Sequence, residues 1–113
     1  MRLFRILVLT LVVGFSAACA ASLSFAANKK ADGAGTFREK CSMCHGISGK
    51  GYPAIKTPDF TDPKWQAAHS DKELRDAIEN GVKGTAMVSF KDKLSQQEIT
   101  AVLKYIRSLG AEK

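Results

Sequence analysis

Cys41-Ser42-Met43-Cys44-His45 is the stretch around which this chain is organised. Its C-x-x-C-H pattern reads as a c-type haem attachment site. On a helical turn Cys41 and Cys44 stand at i and i+3, so both sulfurs leave one face and each can bond one vinyl-derived carbon of the same porphyrin. His45 follows on that turn, where its imidazole can reach the iron while two thioethers fix the ring edge. Order therefore matters as much as composition. Other uses of a C-x-x-C pair find little support. A zinc site needs a second pair of ligands, and the remaining histidine, His69, has no cysteine near it. A thioredoxin-like dithiol needs βαβ patterning, which is absent here.

Helical signals flank the motif on both sides. Asp32 is a fitting N-cap for a first helix running to about Cys44, with Gly33, Phe37 and Cys41 on one face. Gly46 to Phe60 holds Gly46, Gly49, Gly51, Pro53 and Pro58, a loop by composition. Thr61-Asp62-Pro63 opens a short helix that carries Trp65. Ser70-Asp71-Lys72-Glu73 is a capping box, so a helix begins at Asp71, with Leu74, Ala77 and Ile78 as its apolar face and Asn80-Gly81 as its stop. A second capping box, Ser95-Gln96-Gln97-Glu98, opens the last helix. There Ile99, Val102, Leu103, Ile106 and Leu109 recur at helical spacing with Tyr105 beside them, and Gly110 closes it. No segment alternates as a strand does. The expected fold is all-α, three main helices plus one short helix around a covalently bound haem.

The chain has 113 residues, 45% hydrophobic and 25% charged, which reads as one small domain. Residues 1–26 read as a cleaved export signal: a basic start at Arg2 and Arg5, an apolar run from Ile6 to Phe15, and a small-residue zone ending at Ser24-Phe25-Ala26. Residues 27–31 would then be a lead-in and 32–113 the folded domain. Cys19 offers another processing route, since Ser16-Ala17-Ala18-Cys19 loosely resembles a lipoprotein box. In that case the stretch from Ala20 to Lys30 would tether the domain to a membrane. Losing Arg2 and Arg5 removes two of the six net positive charges, and the two haem propionates remove about two more. What remains is mildly basic, and an exported chain without a dense basic patch and stacking aromatics has no nucleic-acid role. A domain this small needs a staple, and haem would be it.

From Asp32 to Leu109 the sequence resembles the small single-haem class I cytochromes c of bacteria, through the attachment motif, a methionine loop and a closing amphipathic helix. Met87 lies in that loop, within Gly81-Val82-Lys83-Gly84-Thr85-Ala86-Met87-Val88-Ser89-Phe90. Met1 belongs to the export signal and Met43 to the attachment motif. The resemblance implies that Met87 is the sixth iron ligand opposite His45, although family members usually have proline after this methionine and here Val88 follows. It further implies that a small residue and an aromatic at Gly33 and Phe37 let the first helix cross the last closely. A carbonyl of the Gly46–Phe60 loop, from Pro53 or Pro58, would accept the His45 Nδ1 proton and raise the ring's basicity. Phe60 would pack against the haem edge. Trp65 is either simple core or a donor to a haem propionate, because a buried indole N–H needs an acceptor. His69 reads as a surface or helix-end residue, with a second ligand role as its alternative.

His/Met ligation favours ferrous iron relative to two imidazoles and leaves no open coordination position. The expected function is therefore electron transfer rather than enzymatic turnover: a periplasmic monomer shuttling single electrons between membrane or periplasmic redox enzymes. Lys50, Lys56, Lys83, Lys91 and Lys93 fall in loops near the haem or Met87 and would steer acidic docking surfaces, or else simply solubilise the domain. The rival function is a small-ligand sensor or peroxidase-like domain in which Met87 is labile.

Overall fold

The computed structural model describes residues 30–111. The export signal, Cys19 and the start of the lead-in lie outside the described residues. Within them the chain forms five α-helices and no strand: α1 (Gly33–Lys40), α2 (Ser42–His45), α3 (Pro63–Ala68), α4 (Asp71–Asn80) and α5 (Gln96–Leu109). A single 3₁₀ turn, Pro53–Ile55, sits in the loop between α2 and α3.

The helix starts follow from local chemistry. Asp32 Oδ1 accepts the Gly35 N–H at 3.0 Å, and Asp62 accepts the Lys64 N–H at 2.9 Å with Pro63 at the first helical position. Both capping boxes close reciprocally. Ser70 and Ser95 accept the N–H of Glu73 and Glu98, and each glutamate takes the serine N–H in return, at 2.6 and 2.8 Å.

The first helix does not run unbroken to Cys44, as its sequence suggested. It stops at Lys40, Cys41 takes φ −116°, and α2 starts again as a single turn. The Ser42 hydroxyl donates to the Arg38 carbonyl at 2.6 Å, occupying an acceptor that a continuous helix would keep for backbone. The attachment motif thus sits on its own turn, set off from α1.

Packing is built on the crossing of α1 over α5. A Cβ on Gly33 would lie 2.1 Å from the Ala101 carbonyl oxygen, so only glycine lets the two backbones meet there. Phe37, 1% exposed, fills the space beneath, its ring centroid 5.3 Å from Tyr105 and 6.2 Å from Phe60. The core comprises Phe37, Phe60, Leu74, Ile78 and Leu94 together with the α5 stripe Ile99, Val102, Leu103, Ile106 and Leu109. Every α5 residue read as core is buried.

A polar clamp ties α5 to α3. Gln66 donates through Nε2 to the carbonyls of Phe60 and Ile106, while Arg107 donates to Gln66 O, Gln66 Oε1, His69 O and the Asp71 carboxylate. Gly110 ends α5 in a right-handed conformation, and its small size matters because Gln66 Cγ lies 2.4 Å from where a Cβ would be.

Candidate functional site

A turn places the two cysteines together. The Cys44 N–H donates to the Cys41 carbonyl at 3.1 Å, an i to i+3 bond of the kind that brings side chains three apart onto one side. Cys41 is half-buried against the core, Cys44 is exposed, and the two are not joined in a disulfide. Burial, and then the neighbouring Cys44, push the Cys41 thiol up to about 11.

His45 follows on the same turn, half-buried, its ring stacked on Phe60 at 4.7 Å and 19°. Burial holds its pKa below the ordinary 6.5, so the ring is neutral and keeps a lone pair for a metal. Its Nδ1 is buried with no hydrogen-bond partner. Neither proline carbonyl reaches it, contrary to the sequence-based expectation. The Pro53 carbonyl is taken by the Lys56 N–H at 3.1 Å as the 3₁₀ turn closes. That of Pro58 lies over Gly51, whose own N–H donates to the His45 carbonyl at 2.8 Å.

Met87 packs half-buried on the same core cluster as Cys41. Its main chain is engaged on both sides: the Val82 N–H donates to its carbonyl at 3.0 Å, and its own N–H donates to the Thr85 hydroxyl at 3.1 Å. Met43, by contrast, is 89% exposed. Trp65 sits half-buried beside Phe60, ring centroids 5.0 Å apart, and its indole N–H makes no hydrogen bond among the described residues. His69 is at the helix end, as its sequence position suggested. It stacks on Trp65 at 4.4 Å with Nδ1 2.8 Å from the Trp65 carbonyl.

Phe60 is more central than its sequence context implied. It touches Phe37, His45 and Trp65, joining the core to the attachment turn. The Gln66–Arg107 clamp that positions the Trp65 helix had no sequence signal, because its partners are far apart in the chain and each alone is an ordinary surface residue.

These residues suit a large apolar cofactor. The exposed large apolar side chains of the described region are Met43, Ile47, Tyr52, Ile55, Val82 and Val88. All fall in the two segments that carry the cysteines and Met87. Side chains of this kind, left unburied in the two segments, are what a bound apolar group could cover. The described residues hold no cluster of three or more His, Cys, Asp or Glu fit to hold a metal ion directly.

Comparisons with known proteins agree with this chemistry. The family model described as Cytochrome c matches residues 30–110. The cbb3-type cytochrome c oxidase subunit FixP of Bradyrhizobium sp. (strain ORS 278) is 36% identical over 74% of this chain and 28% of its own length. The CcoP subunit of Rhodobacter capsulatus is 35% identical over 66% of this chain and 27% of its own. The chain therefore spans less than a third of these curated relatives. Among solved structures, the KustC0563 c-type cytochrome aligns with TM-score 0.64 and 30% identity, over 69% of this chain and 96% of that one. This chain belongs to the cytochrome c family, with covalently bound haem c as its cofactor.

Proposed function

We propose that this chain is a periplasmic one-electron carrier in which Cys41 and Cys44 bind the haem through thioethers and His45 and Met87 ligate its iron. When bound, the haem iron supplies the one-electron couple. The chain's own residues do the rest. Cys41 and Cys44 would each hold the haem through one thioether. His45 keeps its proton on the buried Nδ1 and offers Nε2 to the metal. Met87 would be the second protein ligand to the iron and, as a thioether, would raise the potential relative to a second imidazole. The unbonded indole N–H of Trp65 is available to a propionate. With His45 and Met87 both holding the iron, the domain would pass electrons rather than turn over a substrate.

The single observation that carries this reading is the confinement of exposed apolar side chains to the cysteine and methionine segments, both of which lean on one core cluster. Its partners are redox proteins, and the cbb3-type oxidase subunits among its relatives make a cytochrome c oxidase a fitting one. Lys50, Lys56, Lys83, Lys91 and Lys93 are exposed or nearly so and would steer an acidic docking face, so reduction rates should fall as salt rises. No helix among the described residues is long and apolar enough to cross a membrane. We place the domain outside the cytoplasmic membrane by way of residues 1–26, with acylation at Cys19 as the alternative that would anchor it.

A pyridine haemochrome assay with the intact mass of the exported protein tests attachment, cleavage and acylation together. Met87→Ala should lower the midpoint potential, abolish the methionine-to-iron charge-transfer band and let carbon monoxide bind at once to the reduced form. An unchanged spectrum and midpoint in that variant would remove Met87 from the ligand set. Immediate carbon monoxide binding to the unmutated protein would favour a ligand-binding domain.

A further inference from the structure

We propose that Thr85 and Ser89 are positioning residues that hold Met87 in place as a ligand, fastening its loop from both sides where Val88 supplies no ring constraint. The inference rests on Met87 being the sixth ligand. It starts from the end of α4. The last carbonyls of a helix have no partner within it and must find donors elsewhere. Here the loop supplies them: the Phe90 N–H donates to Ile78 O at 2.9 Å, the Lys91 N–H to Glu79 O at 3.2 Å, and the Ser89 hydroxyl to Glu79 O as well. The chain leaving Met87 is thus fastened to α4 by the end of the second residue.

The chain entering Met87 is fastened by Thr85. Its hydroxyl donates to the Val82 carbonyl at 2.8 Å and accepts the Met87 N–H at 3.1 Å, while the Val82 N–H donates to the Met87 carbonyl. One side chain therefore closes the loop onto itself. Gly81 fits beneath only because it lacks a Cβ, which would lie 2.7 Å from the Met87 carbonyl oxygen, and because φ +72° suits glycine. With both its N–H and its carbonyl bound, Met87 has its backbone fixed before its sulfur meets any metal.

The Val88 N–H makes no hydrogen bond among the described residues, so a proline there would lose no donor. The chain uses hydroxyls for what a ring could do. Deleting one hydroxyl should raise the open-loop population roughly three- to tenfold, which is about 0.7–1.4 kcal/mol. Carbon monoxide can enter only while Met87 is off, so its binding rate should rise by the same factor.

The test uses the haem-loaded protein with Thr85→Val and Ser89→Ala, each with and without Val88→Pro. Three readouts apply: carbon monoxide binding to the reduced form, loss of the ferric charge-transfer band on warming, and amide hydrogen exchange at Val82 and Met87. Each single variant should bind carbon monoxide roughly three- to tenfold faster, lose the band at lower temperature and exchange faster, with haem content and helicity unchanged. Val88→Pro should slow the Ser89→Ala variant again. Wild-type carbon monoxide rates in both single variants would overturn the proposal. Met87→Ala serves as the separate control. If it keeps the band, the ligand assignment itself fails, while exchange at Val82 still reports whether the two hydroxyls hold the loop.

Discussion

Gly33→Ala tests the packing on which the domain depends. The added methyl would lie 2.1 Å from the Ala101 carbonyl oxygen and 2.5 Å from its carbon, both in the backbone of α5, with Val102 N at 3.1 Å. A backbone within a capped helix cannot swing aside as a side-chain tip can. Relief must come from α1 moving away by roughly 1.3 Å or more to reach ordinary contact. Phe37 is carried on the same helix face and moves with it. A radial gap of about 0.5–1 Å forfeits roughly a quarter to a half of each dispersion contact on that side. Overpacking of this kind costs about 1–3 kcal/mol, and the better helix propensity of alanine returns about 0.5–1. A net loss of about 1–2 kcal/mol lowers the melting temperature of a domain this size by roughly 5–15 °C. Thermal unfolding of the haem-loaded protein, followed by far-ultraviolet circular dichroism, measures it. A variant melting with the wild type would mean that α1 and α5 do not meet as described.

Two further outcomes follow from the same structure. Glu73 and Glu98 are held below their ordinary 4.5 by bonds from Ser70 and Ser95, first the backbone N–H and then the hydroxyl. A depressed carboxylate pKa stabilises the fold above the unfolded value and loses that contribution as pH falls through the folded one, so the paired Glu73→Gln and Glu98→Gln variant should show a shallower drop in melting temperature below pH 4.5 than the wild type. Replacing Cys41 and Cys44 together by alanine should leave an exported chain without haem and with little helical ellipticity; a wild-type spectrum from a colourless protein would contradict the role of haem as a staple.

Legibility in the sequence followed the range of the interaction. The caps at Asp32, Asp62, Ser70 and Ser95 are bonds between residues two or three apart, and all four start helices where the sequence placed them. The α5 stripe was readable because its helical spacing needs no knowledge of the partner. Gly33 could be assigned to a close crossing only through family resemblance, and the Ala101 contact supplies the physical reason. The break at Cys41 was not readable, since it depends on a serine hydroxyl choosing the Arg38 carbonyl over solvent. Nor was the true role of Gly110, which makes room for Gln66 rather than turning the chain left-handed. At the site, the attachment motif and Met87 were visible as residues. The fastening of the Met87 loop was not, because Thr85 and Ser89 act through carbonyls on the end of another element.

The distribution of the core explains why such a domain is tied to its cofactor. The buried apolar side chains come from α1, α4, α5, Phe60 and Leu94; none comes from residues 41–59 or 79–93. Those two segments are the ones that expose Met43, Ile47, Tyr52, Ile55, Val82 and Val88. They are held by backbone bonds such as the Gly51 N–H to His45 O and the Val82 N–H to Met87 O, which individually contribute only about 0.5–1.5 kcal/mol. A helical half with its own packed interior thus supports a second half whose apolar surface has no protein to bury it. A bound haem that covered those side chains would remove their surface from water at about 25 cal/mol per Å². The proposed thioethers at Cys41 and Cys44 would keep this gain local to the chain. On the proposed reading the electron-carrying group and the missing part of the core are one object, and residues that hold Met87 against it would set stability and potential together.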